Sequence, residues 1–317
     1  MRRKQTEEFE KCANKENKVH RALAETENMD QSGNRTKTIK LERTCIVLIE
    51  PLQLNNHLPL TAENSVLTKV EKQPVPITPH QLKAAQRLSL FNLIQDYDGT
   101  DPDDFLAYCT KQMEHKTCAN VQLLTVEQAD TDLWHELRKG RITASRMYEA
   151  SRCTMLNGSL TNKVMGVSSG FSFAMKRGTD LEGHVLVELQ KEFPSLRSIG
   201  LILDPNHPWM GASPDGISDD FVLEIKCPYT AKTRACYVDV SKLSKKYFAQ
   251  IQLQMHMTRK TKALLGVAAL DFERTRNVTK VWIDYDKSYV EAIMAESYEF
   301  WSKAVFKALQ KKRKNNK

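Results

Sequence analysis

Apolar residues at every third or fourth position, and apolar residues at every second, divide this chain into elements. From about residue 122 the two periods alternate. Residues 174–193 carry Leu181, Val185, Leu189 and Phe193 at helical spacing, so a helix with one buried stripe is predicted there. Residues 198–203, 209–213 and 221–227 have the short apolar runs of strands. A helix is predicted over 243–258, two strands over 263–271 and 279–284, and a long amphipathic helix over 287–310. Upstream the pattern thins. Residues 1–40 are polar with little periodicity and predict disorder. Residues 45–49 form one isolated apolar run fit for a strand, and Pro74, Pro76 and Pro79 mark a linker. A helix follows, with Leu82, Ala85, Leu88 or Ser89, and Phe91 or Asn92 near one face. Residues 96–101 have the polar composition of a loop, and Asp101-Pro102 the form of an N-cap and first helical position.

Composition narrows the class. The 317 residues are 41% hydrophobic, enough for a sizeable core, and carry a net charge of +8, which suits a polyanionic partner. Seven cysteines, an odd number without disulfide or zinc spacing, are expected to be reduced thiols of an intracellular protein. Cys109, His115 and Cys118 cluster loosely but lack a fourth ligand. No apolar run is long enough to span a membrane, and Met1-Arg2-Arg3 leads into charged residues rather than a signal sequence. The basic tail at 310–317 admits two readings equally: a nuclear import signal or a solvated helix end.

The chemistry concentrates in residues 213–228. Asp215 sits in a turn, and a strand follows with Glu224 and Lys226 two positions apart. Side chains alternate along a strand, so Glu224 and Lys226 share one face while Phe221, Leu223 and Ile225 take the other. A hairpin through Ser218, Asp219 and Asp220 would return Asp215 to Glu224. Two carboxylates and an ammonium would then converge, an arrangement that can hold Mg²⁺ and its waters and stabilise charge on a phosphate. Each half alone is common: Ser213-Pro214-Asp215-Gly216 is an ordinary turn, and Glu-x-Lys is frequent on exposed strands. Together they form the PD-(D/E)XK nuclease pattern.

Three further segments add to it. Glu182 lies on a helix face apart from the Leu181 and Val185 stripe, where an inward acid could complete a metal site. Gln250 and Gln254 share a helix face at i, i+4, alternating with Ile251, Leu253 and Met255, and a neutral amide there can hold a water or phosphate without adding charge. A helix ending near Lys139-Gly140, with Thr143 as the cap of the next, places Arg138 near a helix N-terminus carrying Ser145. Free N–H groups and a bidentate guanidinium there would receive a phosphate. Each of these also has a plain alternative: a solvated glutamate, a polar helix face, a well-capped helix with a surface arginine.

In order, Trp134, Arg138, Ile142 through Ser145, Gly178, Glu182, Ser213 through Gly216, Leu223 through Pro228, and Tyr247 with Ala249, Gln250, Gln252, Met255 and Thr258 resemble the YqaJ-type viral recombinase family, the lambda exonuclease-like branch of the PD-(D/E)XK nucleases. The resemblance covers residues 125–310. It implies an α/β fold of restriction-endonuclease type, a central mixed sheet flanked by helices. The expected organisation is an extension at 1–78, a helical linker region at 79–121, a nuclease domain at 122–312 and a basic tail at 313–317. The resemblance implies Mg²⁺, or Mn²⁺ in its place, on Asp215, Glu224 and the Ile225 carbonyl, with Glu182 near a second metal position. It implies that Lys226 positions or activates the water, that Gln250 supports the site, and that Arg138 and Ser145, with Arg152 as a further candidate, receive a 5′-phosphate. The activity implied is exonucleolytic degradation of 5′-phosphorylated duplex DNA in recombination or repair. A single-strand annealing protein and further copies of the chain, as a trimer, are the implied partners. A structure-specific endonuclease, and a non-catalytic DNA-binding protein derived from a mobile element, remain as alternatives on the same fold.

Overall fold

The computed structural model describes residues 78–167 and 173–315. The predicted disorder at 1–40, the strand at 45–49 and the prolines at 74 and 76 lie outside these residues. Pro79 belongs to no linker. It occupies the first turn of helix α1 (Pro79–Arg87), capped by a reciprocal pair in which Thr78 accepts from the Gln81 amide and Gln81 accepts from Thr78. A second short helix, α2 (Leu90–Leu93), starts from Ser89. The apolar face of this segment is Ala85, Leu88, Leu90, Leu93 and Ile94, while Leu82 is exposed. The 96–101 loop leads to α3 (Pro102–Gln112), whose N-cap Asp101 accepts from the amides of Asp103 and Asp104 as expected. Helix α4 (His115–Leu124) follows, then α5 (Asp132–Arg138). Gly140, at φ 79°, turns the chain out of α5 in a conformation that disfavours side chains.

Strand β1 (Ile142–Thr143) pairs in parallel with β2 (Met210–Gly211) as a small separate sheet. Between them lie α6 (Met147–Arg152), α7 (Ser159–Val164) and α8 (Phe173–Gln190). The predicted strand at 198–203 is not regular structure. One bridge, Ile202 to Ala212, pairs it, and Leu201, Ile202 and Leu203 fill the core from an irregular segment instead. An apolar run alone cannot distinguish a buried strand from buried irregular backbone. The 209–213 strand shrinks to the two residues of β2.

The main sheet has the order β3-β4-β5-β6, from β3 (Gly216–Ile217), β4 (Phe221–Lys226), β5 (Lys262–Ala268) and β6 (Val278–Asp284). β3 and β4 are an antiparallel hairpin, β4 and β5 are parallel, and β5 and β6 are antiparallel. The parallel pair requires a crossover. It is supplied by α9 (Ala231–Tyr237) and α10 (Lys245–Thr258), the latter capped by Ser244. A short α11 (Phe272–Thr275) joins β5 to β6.

Both faces of β4 are covered. Phe221, Leu223 and Ile225 pack with Leu181, Val185 and Leu189 of α8, as the stripe on that helix predicted. Val222 packs on the other face with Ile251 and Met255 of α10. A strand buried on both faces should be continuously apolar. Glu224 and Lys226 break that rule on the α10 side. A third cluster joins α1 to α6 with α12 (Lys287–Phe300) and α13 (Phe306–Asn315) around Trp301. The long C-terminal helix is therefore interrupted, at 301–305, by a wide π turn. There the Trp301 indole donates to the Gly140 carbonyl at 2.8 Å. Among the described residues no helix is long and apolar enough to cross a membrane.

Candidate active site

The hairpin does what its turn residues predicted. The Ser218 amide donates to the Phe221 carbonyl at 2.8 Å and closes the turn. The Asp215 amide donates to the Leu223 carbonyl at 3.0 Å, and the Ile225 amide donates to Asp215 Oδ2 at 2.6 Å. These two bonds lock the Asp215 side chain against β4 beside Glu224. Glu224, only 2% exposed, lies on the face predicted for it. Its Oε1 accepts from Lys226 Nζ and from Gln250 Nε2 at 2.6 Å. Its Oε2 accepts from Gln254 Nε2 at 2.7 Å. The i, i+4 spacing of the two glutamines thus delivers one amide to each carboxylate oxygen. Lys226 also lies over the Tyr247 ring, 5.3 Å from its centroid, and Tyr247 accepts from the Tyr237 hydroxyl at 3.2 Å.

The electrostatics are unbalanced toward negative charge. Burial, then the charges of Glu224 and Glu182, hold the Asp215 carboxyl well above its ordinary range. Burial works against a charged Lys226, but Glu224 and Asp215 outweigh it and raise its ammonium above its ordinary value. Lys226 is therefore a firmly protonated donor at neutral pH. Glu182, on α8, is near enough for its charge to raise Asp215 and Cys227. Asp215 and Glu224 bear on one ammonium while the charge of Glu182 adds to that at Asp215, and a cation would offset the excess. The carboxylates are nevertheless engaged with protein donors. Among the described residues no three His, Cys, Asp or Glu side chains stand together in ligand geometry. That applies to Cys109, His115 and Cys118 as well. Cys109, Cys118 and Cys227 are buried free thiols, with burial pushing Cys109 and Cys227 up to about 12.

Arg138 is part of a second arrangement. Its guanidinium stacks on the Trp134 ring, 3.5 Å from the centroid. Burial and the neighbouring Arg146 pull it down to about 10, so it stays charged at pH 7. It has no hydrogen-bond or ion-pair partner among the described residues, whereas Arg146 is paired with Glu149. Trp134 Nε1 donates to Ser213 Oγ at 2.9 Å, which ties this platform to the turn bearing Asp215. The expected helix N-terminus is different in detail. Thr143 makes no capping bond to the backbone. Its hydroxyl lies 3.3 Å from that of Ser145, and Ser145 sits within a three-residue 3₁₀ turn, Ala144–Arg146, ahead of α6. Arg152 is paired with Glu296 at 2.5 Å.

Two contributions escaped the sequence reading. Gln254 was aligned with Gln250 by spacing, yet only Gln250 stood out as a site residue. Arg141 was missed because its acceptors are backbone carbonyls, which carry no residue-type signature, and two of the three, Leu88 and Pro208, are distant in sequence.

Residues 133–261 match the family model described as the YqaJ-like viral recombinase domain. No curated protein matches the sequence. Among solved structures the chain is similar to the alkaline exonuclease LHK-Exo from Laribacter hongkongensis, at 26% identity, covering 59% of this chain and 97% of that one, with a TM-score of 0.48. For the same exonuclease in complex with dAMP the identity is 25%, the coverages 59% and 98%, and the TM-score 0.50. The Shutoff and Exonuclease Protein from Kaposi's sarcoma-associated herpesvirus shares 13% identity over 76% of this chain and 88% of that one, with a TM-score of 0.43. The segment that matches the YqaJ-like viral recombinase domain runs from within α5 to just past α10, so it contains both the Asp215 hairpin and the helices that close on it.

Proposed function

We propose that this protein is a Mg²⁺-dependent exonuclease that degrades duplex DNA from 5′-phosphorylated ends. The observation that carries the reading is the convergence of Asp215, Glu224 and Lys226 on one point, with the Arg138 guanidinium, unpartnered among the described residues, tied to the same turn through Trp134. The likeness to LHK-Exo, an alkaline exonuclease, supports it. The charge of +8 suits a DNA partner.

The carboxylates of Asp215 and Glu224, the Ile225 carbonyl and, beside them, Glu182 would hold the metal. A divalent ion there supplies Lewis acidity and a water of lowered pKa. Asp215 is kept in place for this by the Ile225 amide. Gln250 and Gln254 fix the orientation of Glu224 from α10. Lys226 is held protonated, so it acts as a cation and donor rather than as a base, and it stabilises negative charge building on the phosphate. Arg138, rigid on Trp134, has its donors available for a terminal phosphate, and Ser145 lies a short turn away. A single-strand annealing protein as partner, a trimer, and a nuclear or other intracellular site of action remain proposals on the same footing.

Digestion of three substrates tests the end preference. Linear duplex with 5′-phosphate should be degraded faster than the same duplex with 5′-hydroxyl, and closed circles should survive. Arg138→Ala should erase most of that preference, a loss of roughly 1.5–3 kcal/mol for bonds to a charged group. Rapid cutting of closed circles would instead establish the endonuclease reading.

A further inference from the structure

Gln254 is fully buried, and its amide nitrogen donates to Glu224 Oε2 at 2.7 Å. Its own carbonyl oxygen, equally buried, has no hydrogen-bond partner among the described residues. Turning the amide over does not cure this, because it would set a carbonyl oxygen against a carboxylate oxygen. Buried acceptors are satisfied in the great majority of proteins, and water is the usual donor where the protein offers none. The rest of Glu224 is already occupied by Gln250 and Lys226, and Gln252, its neighbour on α10, is spent on the β6 side, on the Asp284 carbonyl and the Asp286 amide. A core position that served packing alone would be filled at no polar cost by leucine or methionine, as Ile251 and Met255 fill theirs on the same helix.

We infer that Gln254 is a positioning residue of the cleavage centre: its N–H fixes the outer oxygen of Glu224, and its carbonyl holds a water beside that carboxylate. The inference rests on the nuclease reading given above. Outer residues that orient a ligand carboxylate typically change metal affinity or activity by roughly 10–100-fold when replaced.

The test replaces Gln254 with leucine and, in case leucine packs poorly, with methionine. Mn²⁺ binding is read by calorimetry without DNA, cleavage is read as separate kcat and KM values, and melting is followed in chelator. Both Gln254→Leu and Gln254→Met should weaken Mn²⁺ binding and lower kcat by roughly 10–100-fold, with the KM for DNA within a factor of two. Melting in chelator should fall in both variants, since the buried Oε2 of Glu224 loses its donor, while unfolding stays a single cooperative transition. Wild-type Mn²⁺ affinity and kcat in either folded variant would overturn the inference and leave the nuclease reading intact. A wild-type protein that neither binds Mn²⁺ nor cleaves DNA would overturn both.

Discussion

At Asp215, burial and the charges of Glu224 and Glu182 act in one direction, and only Lys226 and the Ile225 amide oppose them. The consequence has a definite sign. A carboxyl raised in the folded state above its unfolded value of about 3.9 keeps its proton longer when folded, so stability in chelator falls as pH rises from that value through the raised one. Asp215→Asn removes the effect. At pH 7 in chelator the variant should therefore melt above wild type, by roughly 2–4 °C for each 1 kcal/mol recovered. It should also lose the stabilisation that Mn²⁺ gives wild type. A lower melting point in chelator would contradict the electrostatic account. Lys226 should behave oppositely. Lys226→Met leaves Glu224 buried without its cation, which costs about 3–5 kcal/mol, and Lys226→Arg should restore charge but little turnover, since a planar guanidinium cannot take the place of a compact ammonium. Scanning calorimetry with single-turnover rates checks both; full turnover in Lys226→Arg would remove the specific demand for an ammonium.

At the level of elements, what was legible was what repeats locally. The stripe on α8, the alternation on β4 and the paired glutamines on α10 each rest on residues within two turns or one strand, and each lies where the periodicity placed it. The 198–203 segment failed because apolar content fixes burial without fixing hydrogen bonding. The cap expected of Thr143 failed because its hydroxyl meets Ser145 instead of the backbone. Arg141 was invisible for another reason. Its guanidinium joins the end of α1, the last turn of α5 and the loop before β2 through three backbone carbonyls; Leu137 is four residues away, but Leu88 and Pro208 are 53 and 67 residues away and leave no pattern. Arg141→Met should cost about 3 kcal/mol or more, as three buried acceptors lose a charged donor together. Denaturant unfolding checks this; a loss below about 1 kcal/mol would mean that the arginine is a passive filler.

For the whole molecule, the resemblance placed the chemistry in residues 125–310 and left the residues before it unexplained. Part of that region now has a role: α1 to α4 enter the same core as α12, α13 and the helices that precede the site, around Trp301. The basic tail is also less free than its composition suggests. Lys312 lies over the Phe91 ring and Arg313 donates to the Tyr97 carbonyl, so these two charges are docked on the protein body. The central claim is that the Asp215–Glu224–Lys226 centre cuts phosphodiesters with a divalent cation. Its most direct test is the rate of release of 5′-labelled mononucleotide from linear duplex DNA, in Mg²⁺ and in chelator, by wild type and by Glu224→Gln. Rapid release by wild type in Mg²⁺, none in chelator, and a loss of at least about a hundredfold in Glu224→Gln are predicted. Release that survives chelation, or a Glu224→Gln variant as fast as wild type, would contradict the account.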